Sequence, residues 1–392
     1  MRKSKPFLIW HETNKEMGEY QIKLVVGKKH NSESLSEIKI LMIAPCLGKF
    51  GGIESFCLAL CEDILSRGAM VTLMRKKVKG FTPDGSIEKN EAEICKIWTV
   101  EQRQNFKSQY VVPRDSRVQK AIKDSDLVHL HNPMVEGMWW AKKERKPCVM
   151  TIYNWRRKGF HPRLLLWRWA VSQADRRWYI SEFVWNTWEK VRREGSQRLP
   201  VVSRMCQEEC PTHQRKGFLF IGRFVPNKGI RVLLRAYQKI SPDPELWPLT
   251  LVGDGSIREE VENIISEKKI SGVNLTGFVS ENERHRYTRE AKWMVTPPHT
   301  KEDLGLTPLE ARSVGVPCIA STDGGVRETA GKDALFCAPG CVDSLAKRLK
   351  EVIEMSESTY KQKSLATKEG LQDYVRPLDE YAKNYLQLLH RN

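Results

Sequence analysis

The sequence contains no run of about 18 uninterrupted apolar residues, so no ordinary membrane-spanning helix is expected. Its basic start, MRKSKPFLIWHETNKEMGEY, has only Pro6–Trp10 as an apolar stretch. That is too short for a secretory core, and a cytoplasmic location is expected. The ten cysteines stand at 46, 57, 61, 95, 148, 206, 210, 318, 337 and 341. Several lie in apolar runs, such as Cys148 in KPCVMTIY and Cys318 in VPCIAS, and read as small buried hydrophobes of a reducing compartment. Cys206 with Cys210, and Cys337 with Cys341, have spacings at the edge of the metal-binding range. No histidine pair accompanies them, so no metal is expected. Internal repeats, low-complexity tracts and nucleic-acid-binding motifs are also missing.

What is present suits a soluble globular chain: 392 residues, 40% hydrophobic and 29% charged, long enough for two domains. The net charge of +17 is unevenly spread. Residues 139–193 hold 14 Lys or Arg against 4 Asp or Glu, together with tryptophans 139, 140, 155, 167, 169, 178, 185 and 188. Three readings stay open. Basic charge with indoles favours an anionic lipid interface. Alternatively, the tryptophans pack in a core while the cations solvate its rim. Single-stranded nucleic acid also binds such surfaces, but without a recognisable motif it is not expected as a partner.

Apolar runs alternate with helical stretches, which predicts parallel sheets covered by helices on both faces. The expected strands of the first half are Ile38–Ala44, Val71–Met74, Leu127–His131, Cys148–Tyr153, Trp178–Ser181 and Pro200–Ser203. Those of the second half are Phe218–Gly222, Leu249–Gly253, Asn274–Gly277, Trp293–Thr296, Cys318–Ser321 and Ala334–Cys337. The polar stretch Cys206–Lys216, with Pro211, reads as the linker. Two doubly wound α/β units with a cleft between them would bind ligands at the C-terminal ends of their strands. Asp124 and Asp126 superficially form an Asp-x-Asp, but they precede a strand and read as a helix end.

Three segments carry chemistry. Phe218–Ile230 reads as a strand, a glycine turn and a loop with Arg223 and Lys228 before a helix. Two cations beside a helix N-terminus suit a diphosphate. In Lys301-EDLGLTPLE-Ala311, Thr307 reads as an N-cap, Pro308 as the first helical residue, and Glu310 follows three after the cap. Glu302 and Glu310 then flank a helix start and suit an anionic ligand bearing hydroxyls. A simple capping box, with Glu310 reaching back to Thr307, is the other reading. Gly51 and Gly52, in the loop after the first strand, would let backbone N–H groups approach a phosphate or sugar.

Taken together and in order, GRF…NKG, LVGDG, LTGFV, the two glutamates eight apart and PCIASTDGG resemble the family 4 retaining glycosyltransferases of the GT-B fold. The resemblance spans roughly residues 37–390 and is dense over 218–339. It implies two Rossmann-like domains facing a cleft: an acceptor domain at 37–212 and a nucleotide-sugar domain at 213–372. Residues 373–392 would cross back to the first domain, and 1–36 fall outside the match. It implies Arg223, Lys228 and Glu302 as catalytic residues. Gly51, Gly52, Gly222, Phe278, Val279, Gly305, Leu306, Thr307 and Glu310 are implied as donor contacts, with Glu310 on the ribose. A Thr-x-His pattern of the family is Thr151-Ile152-Tyr153 here, so Tyr153 takes the histidine's place. Tyr153 and Asn154 are the expected acceptor contacts, with nearby His131 as a further candidate for which a structural role is the favoured reading. The partners implied are a UDP- or GDP-sugar and a saccharide or lipid-linked acceptor of cell-surface assembly, with no cofactor. An anionic membrane surface would fit such an acceptor. A starch- or sucrose-type synthase and a non-catalytic scaffold are the alternatives.

Overall fold

The computed structural model describes residues 34–44, 52–77, 96–101, 116–157, 159, 162–199, 209–372, 374–375 and 378–390. Two parallel sheets organise it. The first contains β1 (Lys39–Ala44), β2 (Met70–Lys77), β3 (Lys96–Glu101), β4 (Leu127–His131), β5 (Cys148–Ile152), β6 (Arg176–Tyr179) and β7 (Ser196–Arg198), in the order β3-β2-β1-β4-β5-β6-β7. The second contains β8 (Lys216–Ile221), β9 (Leu249–Val252), β10 (Val273–Gly277), β11 (Ala291–Thr296), β12 (Cys318–Ser321) and β13 (Leu335–Cys337), in the order β10-β9-β8-β11-β12-β13. The fold is GT-B, two α/β domains with helices flanking each sheet.

The central strands are covered on both faces, which is why they read as unbroken apolar runs. β4 and β5 are buried at every position. The two strands that the sequence reading missed, β3 and β7, are the edges of the first sheet. An edge strand pairs on one side only and tolerates the charges of KIWTVE and SQR. The strand expected at Pro200–Ser203 lies outside the described residues, as do 1–33, Cys206 and much of 373–377. Leu35, expected to belong to an extension, is fully buried in the first core. Among the described residues no helix is long and apolar enough to cross a membrane.

The expected linker needs a correction at its C-terminal end. Arg215 is only 4% exposed. Its guanidinium donates to the carbonyls of Cys210, Val314 and Gly315 at 3.0, 2.6 and 2.7 Å. The second domain therefore begins with a buried cation that is held by carbonyl dipoles, which a polar sequence pattern does not reveal.

In both sheets the strand order reverses, between β1 and β4 and between β8 and β11. A crevice opens where chains leave in opposite directions. The helix Asp379–Leu389 packs on the first sheet although it follows the second domain in sequence. Tyr381 meets the Trp178 indole edge-on at 4.9 Å, and the Tyr385 hydroxyl shares a 2.7 Å hydrogen bond with His129 Nδ1. Both tyrosines are fully buried. Tyr381→Ala should therefore destabilise the first domain by about 3–5 kcal/mol, the usual cost of emptying a large aromatic site. An early unfolding transition in calorimetry, absent from the wild type, is the expected signature; an unchanged profile would contradict this packing.

Candidate functional site

At the second reversal, the loop after β8 and the loop after β11 are drawn together. Gly229 sits at φ +78°, and a Cβ there would lie 1.8 Å from the Pro297 carbonyl oxygen. Only glycine allows that approach. The His299 N–H donates to the Asn227 carbonyl at 3.2 Å across the same gap. This closure brings Lys228 to Glu302: the ammonium lies 2.8 Å from both carboxylate oxygens. Both side chains are about one-fifth exposed. Arg223, one residue beyond Gly222 at the strand end, is exposed and has no side-chain partner among the described residues.

Glu302 is fixed from behind by the second glycine of note. Gly324 has φ +76°, and a Cβ there would fall 2.4 Å from the Glu302 carbonyl oxygen. The Gly325 N–H donates to that same oxygen at 2.7 Å. The TDGG segment thus sets the backbone of the loop that carries Glu302.

The helix after this loop runs Thr307–Ser313, with Leu306 as its N-cap. Thr307 is therefore the first helical residue rather than the cap, and no side chain caps this end. The capping box is absent as well. Glu310 is 4% exposed and its carboxylate pairs with Arg284 of the helix Glu281–Glu290. Sequence reasoning missed Arg284 because its partner lies 26 residues away. The N–H groups of Gly305, Leu306 and Thr307 have no acceptor among the described residues. Phe278, just past the end of β10, is 64% exposed, and Val279 beside it is half-buried. Gly51 lies outside the described residues; Gly52 opens the helix Gly52–Ser66.

The three expected acceptor contacts look inward. His131 is fully buried and Tyr153 is 3% exposed. They share a 2.7 Å hydrogen bond and stack at 5.9 Å between ring centroids. Burial pushes His131 down to about 3, so it is neutral near pH 7, and pushes the Tyr153 hydroxyl well up. Neither offers a surface to an acceptor: Tyr153 is corrected to a structural role, and His131 takes the structural one that the sequence reading favoured. Asn154 is half-buried and engaged: Nδ2 donates to Asp303 Oδ2 at 3.1 Å, and Oδ1 accepts from Asn132 Nδ2 at 3.0 Å.

Asp303 is the second residue that the sequence reading overlooked. Its Oδ1 accepts from the Trp155 N–H at 2.6 Å, and its carbonyl accepts from Ser181 Oγ at 2.8 Å. Glu328 reaches across in the same sense and accepts from the N–H groups of Glu182 and Phe183 at 2.9 and 2.8 Å. Burial raises both carboxyls above their usual range, Asp303 to about 6, while their N–H donors pull the other way. Among the described residues no group of three or more His, Cys, Asp or Glu could hold a metal ion.

Residues 207–369 match the family model described as glycosyl transferases group 1, and residues 50–204 match that of glycosyltransferase family 4. An uncharacterized glycosyltransferase of Methanocaldococcus jannaschii is 23% identical over 69% of this chain and 79% of its own length. The 2-deoxystreptamine N-acetyl-D-glucosaminyltransferase of Niallia circulans is 22% identical over 58% of this chain and 67% of its own. Among solved structures, Anabaena HepE in complex with UDP superposes with a TM-score of 0.72 at 17% identity, covering 91% of this chain and all of that one. Sucrose-phosphate synthase of Thermosynechococcus elongatus gives 0.65 at 17% identity over the same shares. At these identities the structural likeness shows the fold.

The raised Asp303 carboxyl has a consequence for stability. Its native value, about 6, exceeds the free value of 3.8, so the native state holds the proton longer than the unfolded chain. The stabilisation from this group is full below about pH 4 and is lost as pH rises toward about 6. Asp303→Asn removes that component. The urea midpoint of the variant should therefore gain on the wild type across that window. A difference that stays constant with pH would refute the assignment.

Proposed function

The chain belongs to the group 1 glycosyl transferases, and from that membership we propose that it is a retaining glycosyltransferase that moves a sugar from a UDP- or GDP-sugar to a saccharide or lipid-linked acceptor of cell-surface assembly. In this reading residues 37–212 serve the acceptor and 213–372 the donor. The observation that carries it is the meeting of Lys228 and Glu302 at the reversal of the second sheet, with Arg223 exposed on the same loop as Lys228.

Transfer breaks the bond from the anomeric carbon to the diphosphate and forms a bond from that carbon to the acceptor oxygen. The departing phosphate oxygen takes the acceptor proton on the same face, so configuration is retained without a strong protein base. Charge builds on the diphosphate as it leaves, and fixed cations aimed there lower the barrier. Arg223 and Lys228 supply them, and the N–H groups of Gly305, Leu306 and Thr307 add to the field. Lys228 is held by Glu302. A donor would offer phosphate to Lys228 and sugar hydroxyls to Glu302, replacing the contact between them. Glu310 accepts from the ribose hydroxyls once Arg284 yields, and Phe278 and Val279 flank the base. Gly51, Gly52 and Gly222 leave room for the phosphates. With two cations in place, turnover needs no divalent metal.

The test is nucleotide release from UDP-, GDP- and ADP-sugars, with and without lipid-linked acceptors, in the presence of EDTA. Release from a UDP- or GDP-sugar in chelator supports the reading. ADP-sugar preference would favour a starch-type synthase, and no release from any donor would favour a scaffold. Arg223→Ala and Lys228→Ala should each lower turnover by roughly 10²–10³ while affecting nucleoside binding less. Near-normal kinetics in both would sink the diphosphate role.

The same reading extends to attachment at the cytoplasmic leaflet of an anionic membrane. The tryptophans of 139–193 divide between two fates: Trp178 and Trp185 are buried, but Trp139 and Trp169 are 49% and 36% exposed. Leu165 and Leu166, 48% and 53% exposed, share the helix Pro162–Gln173 with Trp169. Exposed Lys143 and Arg145 lie on or just after the helix Val135–Lys143 that carries Trp139, and exposed Arg168 lies on Pro162–Gln173. Indoles and leucines would enter the headgroup level while cations meet lipid charge, at about 1 kcal/mol each. Co-sedimentation with liposomes should rise with anionic lipid, fall with salt, and drop sharply in Leu166→Asp. A chain that stays in the supernatant at low salt would exclude this attachment.

A further inference from the structure

We propose that Asp303 is a positioning residue: its carboxylate clasps the Asn154–Trp155 turn of the first domain, so that neighbouring Glu302 is held in the transfer geometry only when the domains are closed. The inference rests on the donor-sugar role given to Glu302 above. Glu302 faces Lys228 inside the second domain, while Asp303, next in the chain, faces the first domain. The two side chains diverge from one short loop, so whatever moves one moves the other.

The polarity of the clasp is dictated from a backbone atom outward. The Tyr153 N–H donates to Asn132 Oδ1 at 2.9 Å, which fixes the Asn132 amide with Nδ2 facing Asn154. Asn154 must therefore present Oδ1 to Asn132, and its Nδ2 points at Asp303. The Trp155 N–H points there too. Two donors converge on one side chain, and only an acceptor on both oxygens satisfies them. A carboxylate meets this demand and an amide does not. Ser181 adds a third donor, to the Asp303 carbonyl. Leu304 and Leu309, from the same loop and helix, are buried in the core of the first domain, so the clasp sits on a seated segment.

The logic predicts which repair works. In Asp303→Asn the introduced amide accepts from the Trp155 N–H but sets its NH2 against that of Asn154. Adding Asn154→Asp restores the contacts of the clasp, because the carboxylate introduced there accepts both from Asn132 and from the amide introduced by Asp303→Asn. The experiment compares wild type, the single variant and the double variant of the full chain. It reads the hydrogen exchange of the Trp155 amide, UDP affinity by calorimetry, and kcat with KM by nucleotide release. The single variant should exchange the Trp155 amide about tenfold faster or more, because the two opposed NH2 groups leave Asn154 without its acceptor and loosen the turn that holds the Trp155 N–H. Its kcat should fall by a similar factor, while its UDP affinity stays within about twofold. The double variant should recover both exchange and kcat. Unchanged exchange in the single variant, or a double variant no better than the single, overturns the proposal. If the wild type releases no nucleotide from any donor, the functional reading falls. The clasp itself is still decided by the exchange of Trp155.

Discussion

The segment Glu302–Leu309 has to satisfy two domains at once, and much of the cleft follows from that demand. Its backbone is gripped by Gly324 and Gly325 of the second domain. Its apolar residues Leu304 and Leu309 are buried in the core of the first. Between these anchors the two carboxylates point apart, Glu302 to Lys228 and Asp303 to Trp155 and Asn154. Such a segment cannot drift with one domain alone. Burying polar backbone in a loop is costly without partners, and here the Glu302 carbonyl accepts from Gly325 on one side of the cleft and the Asp303 carbonyl from Ser181 on the other.

The charges of the cleft are paired with one another. Lys228 is answered by Glu302, Arg284 by Glu310, and Arg223 remains exposed without a side-chain partner among the described residues. Ion pairs that keep contact with water are individually weak, of order 0–1 kcal/mol. A dianionic ligand with hydroxyls can therefore exchange with the Lys228–Glu302 pair at little cost, taking the cation by a phosphate and the carboxylate by its hydroxyls, whereas the buried Glu310 gives up Arg284 only where ribose hydroxyls replace it. The arrangement stores charge at the site without leaving it unpaired, which a bare cluster of cations would not do.

A different polar network stabilises the first domain. His129 and His131 stack 4.2 Å apart in the core, each tied to a tyrosine hydroxyl, and His129 also to Thr151 at 2.8 Å. Burial keeps both histidines below their usual range, His129 additionally through His131. Tyr385, from the last helix, closes this network. The C-terminal segment is thereby built into a core to which His129, 256 positions earlier, already belongs.

The amino-acid sequence by itself determined the parallel α/β architecture, the strands that lie in sheet interiors, and the loops at which charge gathers. These are local properties: apolar runs, helix starts, and glycines where backbones nearly touch. Edge strands β3 and β7 escaped because KIWTVE and SQR carry no unbroken apolar run, although β10 and β13, the edges of the second sheet, were legible. Only the tertiary structure decided which carboxylate faces which cation. Glu310 reads as a capping residue until Arg284 arrives from another helix. Asp303 reads as an ordinary loop residue until Asn154, 149 positions away, presents its amide. It also decided that Tyr153 and His131, which resemblance puts at the acceptor, turn into the core. The physical reason is that pairing energies depend on distance in space and on desolvation. Neither quantity is written along the chain until both sheets have folded and closed on the same loop.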